Sequence, residues 1–330
     1  MAILVTGGAG YIGSHMCWAL DDAGEEIVVI DNLSTGFEWA IPPNAKFYRG
    51  DIEDNVLLAK IRAENEIEAI IHFAGSIIVP ESVTNPLKYY RNNTANSRGL
   101  IEFAVEAGIR YFVFSSTAAV YGTPKSEESV DESVVTNPES PYGMSKLMTE
   151  HMLKDTSFAH DFHFTALRYF NVCGADPNGR TGQSTQGATH LIKVACEVAL
   201  GKREKIEVFG TDYPTPDGTC IRDYIHVWDL VNAHLCALKR LRSGGKSIIA
   251  NCGYGKGYSV LEVLDAVKKV SGNDFRVDFS PRRAGDAVRI IANSALIKKE
   301  TGWEPKLDNL DLILRHALDW ETALSSRNII

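Results

Sequence analysis

Tyr142 and Lys146 stand four residues apart in Pro141-Tyr142-Gly143-Met144-Ser145-Lys146, a spacing that puts both on one face of a helix. A tyrosine with a pKa near 10 is a poor base at pH 7. A cation about 4 Å away stabilises its phenolate by roughly 4 kcal/mol at an effective dielectric near 20, which is up to about three pKa units. The pair therefore predicts an acid/base that works near neutrality. Thr117, in Ser115-Ser116-Thr117-Ala118-Ala119-Val120-Tyr121-Gly122, offers a hydroxyl that can relay or share the same proton.

A second set of residues reads as a nucleotide cradle. Gly7-Gly8-Ala9-Gly10-Tyr11-Ile12-Gly13 follows an apolar run and opens a helical pattern. Glycines there allow a tight turn and let backbone N–H groups approach a pyrophosphate at a helix N-terminus. Asp31 closes the next apolar run, where a carboxylate can accept from the adenosine ribose 2′-OH. No arginine sits beside it, so a 2′-phosphate would meet only repulsion. NAD is expected in preference to NADP.

Such groups need a scaffold, and the chain shows one. Apolar runs at Ile3–Thr6, Ile27–Asp31, Lys46–Arg49, Ala69–Phe73, Tyr111–Ser115 and Thr165–Phe170 are continuous rather than alternating, as in parallel strands covered on both faces. Helical patterns separate them at Tyr11–Ala23, Asn55–Glu64, Lys88–Ala107 and Tyr142–Thr156. This alternation predicts an α/β fold, a doubly wound parallel Rossmann sheet, with a smaller α+β substrate domain after it. Residues 1–171 are expected to bind NAD and 172–330 the substrate. In the second part, Asp176–Thr189 reads as a long loop, Leu191–Leu200, Val260–Val270 and Leu310–Ala323 as helices, and Ser247–Asn251 as a strand. The helical stretch Val227–Leu241 could pack back on the first domain.

Composition narrows the class of function. The 330 residues are 45% hydrophobic and 23% charged, ordinary globular values. With 42 acidic and 34 basic side chains the net charge is −8, which argues against nucleic-acid binding. No apolar run approaches the ~18 residues of a membrane span. The six cysteines include no C-x-x-C, so no metal site is expected. A strand beginning at the second residue leaves no room for a signal peptide, and a cytoplasmic protein is expected.

Taken together, Gly7–Gly13, Asp31, Asp51-Ile52, His72-Phe73-Ala74-Gly75, Ser115–Gly122, Tyr142–Lys146 and Arg168-Tyr169-Phe170-Asn171 resemble the extended short-chain dehydrogenase/reductases. Phe209–Thr219, Arg222-Asp223-Tyr224-Ile225-His226-Val227 and Pro281-Arg282-Arg283-Ala284-Gly285-Asp286 are similar, within that family, to the UDP-glucose 4-epimerases. The resemblance implies that Tyr142 is the base, Lys146 its cation and ribose contact, and Thr117 the hydroxyl beside the sugar O4. It implies a cofactor site of Gly7, Gly10, Tyr11, Ile12, Gly13, Asp31, Asn32, Asp51, Ile52, Phe73, Ala74, Gly75, Asn92 and Tyr169, shared with Tyr142 and Lys146. The UDP-sugar would meet Asn171, His190, Leu191, Phe209, Arg222, Arg283, Asp286 and Ile290. Arg222 and Arg283 offer planar forks suited to a pyrophosphate. They suit surface ion pairs equally, Arg222 with Asp223 and Arg283 with Asp286. Phe209 could pack against uracil.

The implied reaction is reversible C4 epimerisation of UDP-galactose and UDP-glucose through a 4-ketose, with NAD retained. A 4,6-dehydratase is disfavoured, because the acid pair it needs after the threonine is replaced by Ala118 and Ala119. A 4-epimerase of a UDP-uronic acid or a UDP-N-acetylhexosamine stays open, as does a non-catalytic NAD-sensing regulator. Two positions depart from the family. Ser76-Ile77-Ile78 lacks its usual lysine, and Thr189-His190 replaces an Asn-Asn, with His190 a candidate phosphate donor. Ile290, stiff at its branched Cβ, is expected to line the sugar pocket and to disfavour N-acetylated sugars. The helices Lys88–Ala107 and Tyr142–Thr156 are expected to form a homodimer interface, as in relatives.

Overall fold

The computed structural model describes residues 1–124, 129–283 and 286–327. Its strands are β1 Ala2–Thr6, β2 Ile27–Asp31, β3 Lys46–Arg49, β4 Ile67–His72, β5 Tyr111–Ser115, β6 His163–Tyr169, β7 Asn171–Cys173, β8 Lys205–Phe209, β9 Ile221–His226, β10 Ile248–Cys252, β11 Gly257–Ser259, β12 Arg276–Ser280 and β13 Arg289–Ile290. Seven of them form a parallel sheet in the order β10-β6-β5-β4-β1-β2-β3. The expected doubly wound α/β sheet is present. The order reverses between β1 and β4, the kind of switch point at whose carboxyl ends ligands bind in such sheets.

The apolar runs are continuous because alternate residues serve opposite layers. Leu4, Val28, Ile30, Ile70, Phe112 and Phe114 pack with Leu58, Ile61, Leu100 and Leu153 on one face. Ile3, Val5, Val29, Ile71 and Val113 pack with Met16, Leu20, Val231 and Leu238 on the other. Fully burying one such side chain contributes about 1.5–3 kcal/mol.

Helix starts and stops follow local chemistry. Helix Pro141–Ala159 begins where the Ser140 hydroxyl accepts from Gly143 N–H at 3.2 Å, with proline in the first turn. Helix Asn96–Ala107 ends at Gly108, whose φ of +73° suits a residue without Cβ. The expected single helix over Lys88–Ala107 is instead a short helix Pro86–Tyr89, a widened π turn over Tyr90–Ala95, and helix Asn96–Ala107.

The second part of the chain crosses back. Helix Val227–Arg242 packs on the face that carries Met16 and Leu20. Its following strand, β10, pairs with β6 at the edge of the large sheet. The stretch Ser247–Asn251, assigned from sequence to the substrate domain, thus sits in the first unit. The remaining elements gather around β9, which pairs with β7, β11 and β13, and around the β8–β12 pair. Helices Leu191–Ala199, Val260–Ser271 and Leu310–Arg327 complete that core.

Candidate active site

The cofactor cradle is built at the ends of β1, β2 and β4. Gly7 turns with a φ of +69° and donates to the Ile30 carbonyl at 2.9 Å, while Gly10 donates to the Gly7 carbonyl at 3.1 Å. A Cβ on Gly13 would lie 2.1 Å from the Gly7 oxygen, and one on Gly7 would lie 2.7 Å from Ala74 N. Only glycine lets the turn close this tightly. Helix Tyr11–Asp22 starts at Gly10 with no side-chain cap, so its first N–H groups are left for an anion. Tyr11 itself is anchored, its hydroxyl donating to Gly174 O at 2.7 Å.

Asp31 accepts Ala9 N–H at 2.9 Å on one oxygen and Leu33 N–H at 2.8 Å on the other. Burial pushes this carboxyl up, and the N–H groups pull it back. Each oxygen keeps a lone pair for a ribose hydroxyl. Asn32 donates to Asp51 at 3.0 Å, and Ile52 is buried beside them. Ala74 N–H reaches the Thr6 hydroxyl at 3.4 Å, and the Phe73 ring lies tilted with its centre 4.9 Å from that of His234. Asn92 donates to Ser76 Oγ at 2.9 Å. The glycine cradle and the spare acceptors of Asp31 fit a dinucleotide without a 2′-phosphate.

The acid/base group is at the ends of β5 and β6. Tyr142 and Lys146 are both buried. Lys146 Nζ donates to Ser115 O at 3.0 Å, and lies 4.9 Å from the Phe114 ring. A Cβ on Gly75 would lie 3.7 Å from that nitrogen, which places Lys146 against the cofactor side. Burial lowers its pKa to about 8. Thr117 Oγ accepts Ala119 N–H at 3.1 Å, which leaves its own proton to donate. The Tyr142 phenol is raised above its ordinary value by burial, and the neighbouring Thr117 hydroxyl acts against that rise. This differs from the depressed phenol expected from spacing alone. The Lys146 ammonium is turned to the Ser115 carbonyl, and desolvation dominates the phenol. Tyr169, at the end of β6, hydrogen-bonds Ser115 Oγ.

The residues expected to hold UDP come from four separate elements. Asn171 lies in β7, Leu191 begins a helix, Phe209 ends β8 and Arg222 sits in β9. His190 is exposed, its Nδ1 2.9 Å from the Gln183 amide. Neither arginine makes the ion pair that sequence suggested. Arg222 reaches Asp286 at 3.5 Å, because Asp223 is buried and accepts N–H groups from Tyr254, Gly255 and Ala292 at 2.9–3.1 Å. Arg283 lies 3.6 Å above the centre of the Phe209 ring, so one face of that ring is covered by a guanidinium. The linking residues Ala284 and Gly285 lie outside the described residues. Ile290 packs beside Val120, Tyr121, Val130 and Leu147.

Sequence reasoning missed several groups. Asn93 holds Ser76 at both N and O, at 2.7 and 2.9 Å, and reaches Ser145 Oγ at 3.1 Å. His72 bridges Thr6 and Ser97 at 2.7 and 2.8 Å. Glu150 and Arg168 form a buried ion pair. The visible signal for Glu150 was its place eight residues after Tyr142 and four after Lys146, an acid on the same stripe.

The profile of the NAD dependent epimerase/dehydratase family matches residues 3–253. The chain belongs to that family. Among similar proteins, a UDP-glucose 4-epimerase of Azospirillum brasilense is 55% identical over 322 residues, 98% of this chain and 92% of the relative. Two solved structures show the same fold in the family. UDP-glucose 4-epimerase from Brucella ovis in complex with NAD is 41% identical, with a TM-score of 0.93 and coverage of 96% and 97% of the two chains. The UDP-Glc/GlcNAc 4-epimerase from Campylobacter jejuni is 48% identical, with a TM-score of 0.84 and coverage of 98% and 99%. The epimerase fold therefore extends over nearly the whole chain, beyond the region matched by the family profile.

Proposed function

We propose that this enzyme interconverts UDP-galactose and UDP-glucose at C4 with NAD retained in the site. The observation that carries the reading is the pairing of Tyr142 with Thr117, and Lys146 beside Gly75, at the same carboxyl end of the sheet as the glycine cradle. NAD, when bound, takes the C4 hydride and returns it. Tyr142 takes the O4 proton and gives it back, acting through its phenol oxygen. Thr117, its oxygen held by Ala119 N–H, donates toward O4. Lys146 has donors to spare beyond Ser115 O, and these suit ribose hydroxyls. Burial of all three excludes water from the ketose. Ala118 and Ala119 cannot supply the acid pair for dehydration. Asn171, Leu191, Phe209, Arg222, Arg283 and Asp286 would hold the UDP, with His190 at the edge. The sugar is left loosely held and free to turn.

The test is to incubate purified protein with UDP-galactose, without added NAD, and assay UDP-glucose. Product formation, with NAD released in near-stoichiometric amount on denaturation, supports the reading. No product, or a requirement for NADP, overturns it.

A second reading, turnover of UDP-N-acetylhexosamines, is favoured by Ile290. Its side chain packs against Val120 and Leu147, which draws it out of the sugar's way. The Campylobacter jejuni relative named for both sugars lends support. We also propose a homodimer through helices Asn96–Ala107 and Pro141–Ala159, where Met148 and Phe158 are exposed. A cytosolic location would suit the free thiols. No helix among the described residues is long and apolar enough to cross a membrane.

A further inference from the structure

A line of buried polar side chains runs behind Tyr142, and the reaction described above leaves it without a task. Tyr142, Lys146 and Glu150 follow one another at four-residue intervals on helix Pro141–Ala159, so they share a stripe facing the sheet. Glu150 is 2% exposed and both its oxygens are taken. Oε1 accepts from Ser116 Oγ at 2.5 Å and from Arg168 Nε at 2.9 Å, and Oε2 accepts from Arg168 Nη2 at 2.6 Å. Arg168 also donates to the Tyr121 hydroxyl at 2.9 Å. Tyr121 donates to Asn251 Oδ1 at 2.7 Å, and Asn251 Nδ2 donates to Val130 O at 2.8 Å. Val130 N–H donates to Ile291 O at 2.7 Å, and its carbonyl accepts Asn293 N–H at 2.8 Å.

The line joins the elements that carry the chemistry. Ser116 precedes Thr117, Glu150 sits one turn beyond Lys146, and Arg168 precedes Tyr169, which bonds Ser115. At its far end, Ile291 follows Ile290 of β13. A buried ion pair is a weak source of stability, since well-packed apolar residues of like volume often serve as well or better. What it supplies here is a fixed height of helix against strand, because a bidentate guanidinium–carboxylate pair tolerates little sliding. A misplacement of about 1 Å at a reacting group can cost on the order of 10²-fold in rate.

We propose that Glu150 and Arg168 are positioning residues that hold Thr117 in register with Tyr142, and that Tyr121 and Asn251 extend this alignment to the sugar-side segment after β13. The inference rests on the epimerase reading above. The deciding variant is Glu150→Met with Arg168→Met, which removes both charges together and leaves no unpaired one. Expected are near wild-type thermal stability and NAD content, a kcat lower by about 10²-fold, little change in KM for UDP-galactose, and an alkaline shift of the rising limb of the pH–rate profile. Wild-type kcat in that folded double variant would overturn the proposal. Should the double variant not fold, Glu150→Gln and Arg168→Lys are read the same way, and a loss of kcat no larger than the loss of folded protein would overturn it. Tyr121→Phe keeps the Glu150–Arg168 pair but removes both the acceptor for Arg168 Nη1 and the donor to Asn251. It should raise KM and leave the pH limb in place, and unchanged kinetics would remove the sugar-side extension. Wild-type protein inactive on UDP-galactose would instead overturn the epimerase reading itself.

Discussion

The cofactor side and the proposed UDP side of this molecule are made of different materials. The cofactor side is mostly backbone. Gly7, Gly10 and Gly13 close a turn that a Cβ would obstruct, and Asp31 sets a carboxylate into it. The UDP side is mostly long side chains. Arg222 meets Asp286, Arg283 covers Phe209, and Lys193 and Lys202 converge on Glu321 to fasten helix Leu310–Arg327 behind helix Leu191–Ala199. A backbone cradle is rigid and accepts one shape, which suits a cofactor that stays through the cycle. Side chains can shift, which suits a substrate that enters, turns and leaves.

Changing the rigid side should be all-or-none. Gly13→Ala places a Cβ 2.1 Å from the Gly7 oxygen, so the turn must open. We expect purified Gly13→Ala to carry little or no NAD, with activity lost in proportion. Full NAD occupancy, measured on the denatured protein, would break the contrast between the two sides.

Next in size is Tyr142→Phe. Losing a positioned acid/base should lower kcat at least ~10²-fold, with NAD content unchanged. Lys146→Met should lower kcat and move the pH–rate profile upward, because the site loses a buried positive charge that favours the phenolate. Steady-state rates between pH 6 and 10 check both, and near wild-type turnover by Tyr142→Phe would refute its role.

On the adaptable side the response should be graded. Arg222→Met removes a charge-assisted contact of about 1.5–3 kcal/mol, or roughly 10- to 150-fold in KM for the UDP-sugar. Its kcat and NAD content should change little. Parallel losses of NAD and substrate binding would show that the two sides are one unit. Ile290→Ser should act more weakly still. Held in its apolar cluster, Ile290 should leave relative kcat/KM for UDP-N-acetylgalactosamine unchanged on substitution by serine, whereas a limit on the sugar's 2-substituent worth roughly 1–3 kcal/mol would show as a rise. An unchanged ratio would leave Ile290 as part of the cluster around Val120 and Leu147.

The smallest effect concerns acid stability of the rigid side. Ser97 donates its proton to Asn93 O at 2.7 Å, so His72 Nε2 donates to Ser97 and its Nδ1 accepts from Thr6. That network needs a neutral ring, and burial with the Lys146 charge lowers the His72 pKa to about 3. The unfolded chain binds this proton near pH 6.5 and the folded protein does not. Stability is therefore complete above pH 6.5 and is lost as pH falls toward the folded value. His72→Gln should show a smaller fall in melting temperature between pH 7 and pH 5 than wild type. An equal fall would assign acid sensitivity elsewhere.

What the sequence determined by itself is whatever short-range geometry fixes. The runs Ile27–Asp31 and Tyr111–Ser115 match their strands residue for residue, because strands covered on both faces need unbroken apolar stretches. The glycine spacing, Asp31 and the Tyr142–Lys146 interval were legible for the same reason, each being a constraint within a few residues. Tertiary structure decided the rest. Arg222 could have paired with adjacent Asp223, but Asp223 is buried among three backbone donors, and Arg222 turns to Asp286, 64 residues away. Burial lifted the Tyr142 phenol where spacing alone suggested depression. The strand Ile248–Cys252 joined the first sheet because the edge of β6 offered unpaired backbone groups. Pairing partners, desolvation and sheet edges depend on what the folded chain brings together, and no local pattern of residues encodes them.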